Sequence, residues 1–351
     1  MQPFIHIGSP ARIVFGRGSI TRTAEEVRML GATCALVLST PQQRQQAEAL
    51  ADSIGSLSAG IFDGATMHTP VDVTERALAV FRDRGADCLV ALGGGSTTGL
   101  GKALAVRSGA PQVVIPTTYA GSEVTPILGE TVDGVKTTRR SADILPEVVI
   151  YDPALTDTLP RRLAVTSGLN AMAHAAEGVY ARDGSPIYTV MALEGLRALR
   201  DALPVIIEDP EDSSARDLAV YGAWLCGTVL GGVGMSIHHK LCHTLGGALD
   251  LPHADTHAIL LPHTMAFVEE AEPQVLAPVA ALFGGRAGAG LYDFARSVGA
   301  PFSLAALGVE EAELDDVTEQ ALANPYWSPR LLDRSGIRNL LQRALTGERP
   351  V

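Results

Sequence analysis

In the first half of the chain, short apolar runs alternate with longer segments whose apolar positions recur every three to four residues. The runs RIVFG, CALVLS, AGIFD, CLVALG and QVVIPT, starting at Arg12, Cys34, Ala59, Cys88 and Gln112, read as strands. Between them, ITRTAEEVRML, PQQRQQAEALADSI and VDVTERALAVFRDRG carry the helical period. Strands alternating with helices of this length predict a parallel sheet covered on both faces. Around EVVIYDPALTDTLP, Glu147 to Pro160, the pattern changes. Beyond it YTVMALEGLRALRDAL, SARDLAVYGAWLCGTVLGG, HHKLCHTLGGAL and RNLLQRAL are helical and strand-like runs are few. The expected fold is an α/β nucleotide-binding domain with a parallel sheet, residues 1–155, followed by an all-helical catalytic domain, residues 156–351.

Composition narrows the classes. A chain of 351 residues with 46% hydrophobic and 19% charged residues can bury a large core. A formal net charge of −12 excludes nucleic acid or an anionic membrane as the main partner, since both need basic patches. An anionic small substrate must then meet a local positive spot. The four cysteines, Cys34, Cys88, Cys226 and Cys242, form no CxxC pair, so neither a zinc knuckle nor a disulfide framework is indicated. MQPFIHIGSP has no basic segment followed by an apolar run, and no later window reads as a membrane span, so a cytoplasmic protein is expected.

LVALGGGSTTGLGKALA joins a buried strand to a helix through Gly93, Gly94, Gly95 and Ser96. Consecutive glycines let backbone N–H groups approach a ligand, and the helix adds its positive end, as a diphosphate requires. The same residues also make an ordinary tight turn. A second signal comes from VVIPTTYAGSEVT, which leaves a strand with Thr117, Thr118, Tyr119 and Ser122 in succession. Hydroxyls at the carboxyl edge of a parallel sheet lie where such sheets bind ligands, and a nicotinamide dinucleotide suits the pair of loops.

Seven of the nine histidines fall in two segments. SGLNAMAHAAEGVYA sets Asn170 and His174 at i, i+4 on one helical face; SIHHKLCHTLGGALDLPHADTHAILLPH carries His238, His239, His243, His253, His257 and His263. One such histidine is ordinarily a packed core residue. Six within one helix-loop-helix have no packing reason to gather.

These motifs together are similar to the iron-containing (group III) alcohol dehydrogenase family, related to glycerol dehydrogenase and to the dehydroquinate synthase fold. The resemblance runs from VFGRGS at Val14 to at least His263. Within the family, GGGSTTGLGKA, PTTYAGSE and VKTTRR most resemble a branch that reduces the enone of an unsaturated oxo-dicarboxylate met in aromatic-compound breakdown. The resemblance implies that Gly93 to Ser96 hold the diphosphate, that Thr117, Thr118 and Ser122 lie near the nicotinamide, and that Lys136 touches the cofactor. The family's aspartate and three histidine metal ligands correspond to Asn170, His174, His239 and His253, so the only anionic ligand is missing. Gly99 also stands where the family's loop usually continues to an aspartate. After Ser39, Thr40 replaces the carboxylate that grips the adenosine ribose; a carboxylate would exclude the 2′-phosphate of NADP, so both NADH and NADPH are expected.

Enone reduction spreads charge through conjugation onto a carbonyl oxygen, which hydrogen-bond donors can stabilise without a metal. The expectation is therefore that no metal is required. His243, helped by His239 or His253, is expected to donate to the enolate, with His174 completing the group of imidazoles. Tyr119, Asn170, Lys240 and Tyr326 are the candidate substrate contacts, with Arg139 and Arg140 as further cations for a dicarboxylate, and a homodimer is what the resemblance implies. The competing readings are a metal-dependent alcohol or glycerol dehydrogenase, in which three histidines hold zinc, a dehydroquinate synthase-like lyase, and an NAD-binding regulator.

Overall fold

The computed structural model describes His6, Gly8, residues 12–132 and residues 135–351, without the side chains of 135 and 136. The chain divides into two units, residues 8–159 and residues 160–351, and His6 belongs with the second. The sequence places the change at 155/156, four residues early. The turn at Pro153–Thr156 is held to the first unit by Asp152, whose carboxylate accepts the N–H groups of Gly18, Ile20 and Ala154.

The first unit is the expected α/β layer structure. Its strands are β1 (Arg12–Phe15), β2 (Ala35–Leu38), β3 (Ser58–Phe62), β4 (Cys88–Gly93), β5 (Gln112–Pro116) and, after a hairpin of β6 (Ile127–Val132) and β7 (Val135–Arg140), β8 (Val148–Tyr151). All but the hairpin form one parallel sheet in the order β1-β8-β5-β4-β2-β3. The helices are α1 (Thr23–Met29), α2 (Arg44–Ile54), α3 (Val71–Asp83) and α4 (Gly95–Ser108). The strands are apolar at consecutive positions because both faces are covered. Val37, Val90 and Ile115 pack with α1 and α2 residues such as Val27 and Leu50, while Leu36, Leu38 and Leu89 pack with Leu78, Phe81 and Leu104 of α3 and α4.

Two strand elements escape the sequence reading. VVIY is a fully buried strand between β1 and β5, although it looks like the start of the change in pattern. The hairpin β6–β7 has alternating polar residues and partial exposure, so it carries no apolar run to signal it.

The second unit is helical: α5 (Arg161–Val179), α6 (Pro186–Glu208), α7 (Ser213–Gly232), α8 (Ile237–Leu249), α9 (His253–Ala271), α10 (Pro273–Leu282), α11 (Ala287–Ser297), α12 (Leu314–Ala323) and α13 (Arg334–Thr346). Helix α5 is buried from Ala164 to Gly178, since SGLNAMAHAAEG offers small residues on every face for α6, α7 and α9 to approach. One correction concerns membrane spans: Pro273–Ser297 is long and apolar enough by composition, with mean hydropathy 1.3. It is folded as two helices, broken at Gly284 and Gly285 with φ of +82° and +99°, and Asp293 within it pairs with Arg349.

Candidate active site

Strand order places the first candidate site. The chain runs outward from β2 to β3 on one side and from β4 through β5 to β8 on the other, so the direction reverses between β2 and β4. The carboxyl ends of strands at such a reversal form the crevice where open α/β sheets take ligands. Ser39 and Thr40 follow β2, Gly94 follows β4 and Thr117 follows β5, so the sequence candidates share one edge of three neighbouring strands. Gln43, not singled out from the sequence, joins two of these ends: its Nε2 donates to Thr117 Oγ1 at 2.9 Å.

The residues fit a phosphate-bearing nucleotide. Gly93 has φ of +153°, and a Cβ there would collide with Thr97 Oγ1 and Gln43 Oε1. A Cβ on Gly94 would stand 3.0 Å from the Thr118 side chain. Helix α4 begins at Gly95; Thr97 and Thr98 donate their N–H groups to Gly94 O, which leaves those of Gly95 and Ser96 without an intrahelical acceptor. Around the turn, the buried hydroxyls of Ser39, Thr97, Thr98 and Ser122 have no hydrogen-bond partner among the described residues, as expected of groups that meet a ligand.

Lys102, buried in α4, braces the loop that follows β5. Its Nζ donates to Ser122 O at 2.5 Å, Thr125 O at 2.7 Å, Thr125 Oγ1 at 2.9 Å and Ile127 O at 2.9 Å. Burial pushes its pKa down to about 7, and the nearby Glu123 opposes the shift. Tyr119 in this loop is completely buried. Lys136 lies in β7, and its side chain is outside the described residues; Arg139 and Arg140 end the same strand exposed.

The second candidate site lies within the helical unit. Helix α5 supplies Asn170, His174 and Glu177, α8 supplies His238, His239 and His243, and α9 supplies His253 and His257. Spacings of three or four residues stack Asn170, His174 and Glu177, His239 and His243, and His253 and His257 on one face of their helices, while His238 stands beside His239 on the next. Their rings form a continuous cluster, with His239 and His257 4.9 Å apart at its middle, His253 4.3 Å from His257 and His174 5.0 Å from His239. His243 completes it at 6.0 Å from His239, and its Nδ1 lies 3.2 Å from the hydroxyl of Tyr326. Lys240 sits half-buried with its Nζ 5.8 Å from the Tyr326 ring. Asn170 and His174 are buried, His243 is half-buried and His253 is exposed.

Two buried residues of the cluster were given no role from the sequence. Glu177 is fully buried and its Oε2 lies 2.6 Å from His239 Nδ1. Burial alone would raise its pKa, but His239 and the backbone N–H groups of Ser236 and His238 hold it below the usual carboxylate range. His257 shares a hydrogen bond of 2.9 Å with His238, and burial holds both rings well below the ordinary histidine range. The available signal was the one that singled out His239 and His243: Glu177 stands three residues after His174, and His257 four after His253.

Of the four positions expected from the family to hold metal, His174 and His239 stand closer together than two ligands of one ion. His174 Nδ1 and His239 Nε2 are 2.9 Å apart, a hydrogen-bond distance that requires a proton between them. Two nitrogens on one tetrahedral zinc at ~2.05 Å each stand about 3.3 Å apart, and neither carries that proton. The expectation that no metal is required nonetheless lacks support from the cluster as a whole. His238, Cys242 and His257 bring ligand atoms within 4.8 Å of one another, residue types that zinc accepts, although His238 Nε2 and His257 Nδ1 stand at the same 2.9 Å.

The comparisons with known proteins agree with this architecture. Over its full length the chain is 66% identical to the maleylacetate reductase of Rhizobium sp. (strain MTP-10005), covering 100% of both. It superposes on the crystal structure of maleylacetate reductase from Agrobacterium tumefaciens with a TM-score of 0.97, 66% identity and 100% coverage of both chains. The same fold, at 19% identity and a TM-score of 0.89, occurs in sulfoacetaldehyde reductase from Bifidobacterium kashiwanohense, solved in complex with NAD+, over 98% of this chain and 99% of that one. Residues 10–153 match the iron-containing alcohol dehydrogenase profile and residues 164–345 the C-terminal profile of the same family. With one profile on the sheet and glycine turn and the other on the imidazole cluster, the chain belongs to the iron-containing alcohol dehydrogenase family.

Proposed function

We propose that the chain reduces the carbon–carbon double bond of maleylacetate to give 3-oxoadipate, using NADH or NADPH. The observation that carries this reading is the full-length 66% identity to a maleylacetate reductase, which spans both the glycine turn and the histidine cluster. The two-electron reduction adds one hydride and one proton across the double bond. A bound reduced nicotinamide supplies the hydride, which ends on the carbon beside the remote carboxylate. The displaced electron pair is held on the ketone oxygen as an enolate until the neighbouring carbon is protonated. Gly93 to Ser96, with the hydroxyls of Ser39, Thr97 and Ser122, are assigned to the cofactor, and Thr40 leaves room for a 2′-phosphate.

Among the imidazoles, His243 is the assigned donor to the enolate or to carbon. It is half-buried, and the Tyr326 hydroxyl orients its Nδ1. His239 has both ring nitrogens engaged, by Glu177 and His174, and so supports the site rather than touching substrate. Lys240 beside Tyr326 is assigned to a substrate carboxylate. No step is assigned to a metal, and metal analysis tests that choice. Bound iron or zinc whose chelation abolishes turnover would overturn it.

The reaction is followed at the nicotinamide absorbance with maleylacetate, NADH and NADPH, and with simple alcohols as controls. Both cofactors are expected to be consumed with maleylacetate, and His243→Ala is expected to lose about 100-fold or more in kcat, the range of a lost general acid. Fast alcohol oxidation with an indifferent His243→Ala would overturn the assignment.

A further inference from the structure

We propose that Thr69 is a further residue of the dinucleotide site, its hydroxyl donating to the cofactor's diphosphate from the space that Gly99 leaves open beside the first turn of α4. Two features with no other use in the fold meet at this point. One is Gly99, which stands where the family's loop usually continues to an aspartate. The other is a strained turn between β3 and α3. Among the described residues three non-glycines have positive φ, and two of them are consecutive, His68 at +63° and Thr69 at +44°. For a β-branched residue that conformation is rare and costly. The turn is held in it from β6: Thr131 donates its N–H to Thr69 O at 3.3 Å and its Oγ1 to His68 O at 3.0 Å. Pro70 pairs with the same Thr131 in an isolated bridge.

Held in this way, Thr69 is brought against α4. A Cβ on Gly99 would collide with Thr69 Oγ1, so any side chain at this position displaces the hydroxyl. Cα–Cβ bonds lean toward the N-terminus of a helix, which puts that space on the Gly95 side of Gly99. Gly95 and Ser96 are the residues whose N–H groups lack an intrahelical acceptor, and the buried hydroxyls of Thr97 and Thr98 in the same turn are unpartnered among the described residues. Thr69 itself is only 6% exposed, and its one hydrogen bond among the described residues is accepted by its backbone carbonyl. Its hydroxyl can donate to a phosphate oxygen, which an ionised aspartate at position 99 could not do. The missing aspartate and the strained threonine are thus one change, and it adds a donor to the turn that α4 offers an anion.

The proposal rests on the assignment of this turn to a dinucleotide, so wild-type binding is measured first. NADH is titrated into the full chain by fluorescence, and ADP, which has the diphosphate without the nicotinamide ribose, by calorimetry. Thr69→Val keeps the branched side chain and its backbone demands while removing the hydroxyl. It is expected to weaken both ligands by about 10–100-fold, the range for a hydrogen bond to a charged group, whereas Thr69→Ser binds as the wild type does. Gly99→Ala keeps Thr69 but takes its space, and is expected to lose as much. Thr69→Gly relieves the strain, so its urea midpoint is expected to rise while NADH binds as weakly as to Thr69→Val.

Unchanged NADH affinity in Thr69→Val overturns the proposal. So does a loss confined to NADH with ADP unaffected, which would put the hydroxyl at the nicotinamide ribose. Thr69→Gly that unfolds at a lower midpoint and binds NADH fully would give the turn to the fold alone. A wild type that binds neither NADH nor ADP overturns the dinucleotide assignment, and the proposal with it.

Discussion

At His239 one imidazole is held from both sides, by Glu177 through Nδ1 and by His174 through Nε2. Its sequence spacing from His243 suggested a residue facing substrate; the geometry gives it to the interior instead. A four-residue spacing reports which face a side chain shares, and says nothing of what its two nitrogens meet. Asn170 poses the complementary question, because it sits one helical turn before His174 and is buried where the family has an aspartate. Asn170→Asp restores the anion without altering size. It is expected to raise bound iron or zinc, read by elemental analysis, with no gain in maleylacetate turnover. Metal-dependent acceleration of that turnover would contradict the metal-free assignment of steps.

Among the elements, the parallel sheet was the most legible, because fully covered strands announce themselves as apolar runs such as CLVALG. The hairpin β6–β7 was not, since neither of its strands is buried on two faces and its order depends on contacts far along the chain. Lys102 is the chief of these: from α4 it reaches carbonyls of the loop after β5 and of Ile127 at the start of β6. The lysine was visible in GGGSTTGLGKA, but nothing in the sequence says that its ammonium points inward. Lys102→Met leaves these oxygens without their buried donor and is expected to cost about 3 kcal/mol in denaturant unfolding. NADH affinity, read by fluorescence titration, should fall with it, since Thr117 to Ser122 lose their brace. Unchanged stability would mean that water replaces the ammonium at little cost.

On the scale of the whole molecule, acid sensitivity follows from buried neutral histidines. His263, apart from the ring cluster and beside Tyr292, is pushed down to about 4 by burial, with Arg343 adding to the effect. The unfolded chain protonates this ring near 6.5, the folded chain only near 4, so the unfolded state binds more protons between those values. Stability from this residue is therefore intact above about pH 6.5 and is lost as pH falls toward 4. The loss is at most about 3.4 kcal/mol. His263→Gln should unfold less steeply with acid between pH 6.5 and 4.5, measured by urea midpoints, whereas an unchanged slope would assign the sensitivity elsewhere. Two units and their fold class were readable from the alternation of periods alone. The exact point of division was not, because Asp152 ties residues up to the Pro153–Thr156 turn back to Gly18 and Ile20, a contact between distant positions.

Helix α8 carries two consecutive rings held from different helices, His239 by Glu177 of α5 and His238 by Thr264 of α9. Two anchors on different sides read the same stretch of helix, so its phase is checked twice. Inserting or deleting one residue between Ser236 and His239 would turn the rings by about 100° and part both from their anchors at once. The opening turn of α8 thereby behaves as a fixed reading frame for the two rings, intolerant of any change in its length.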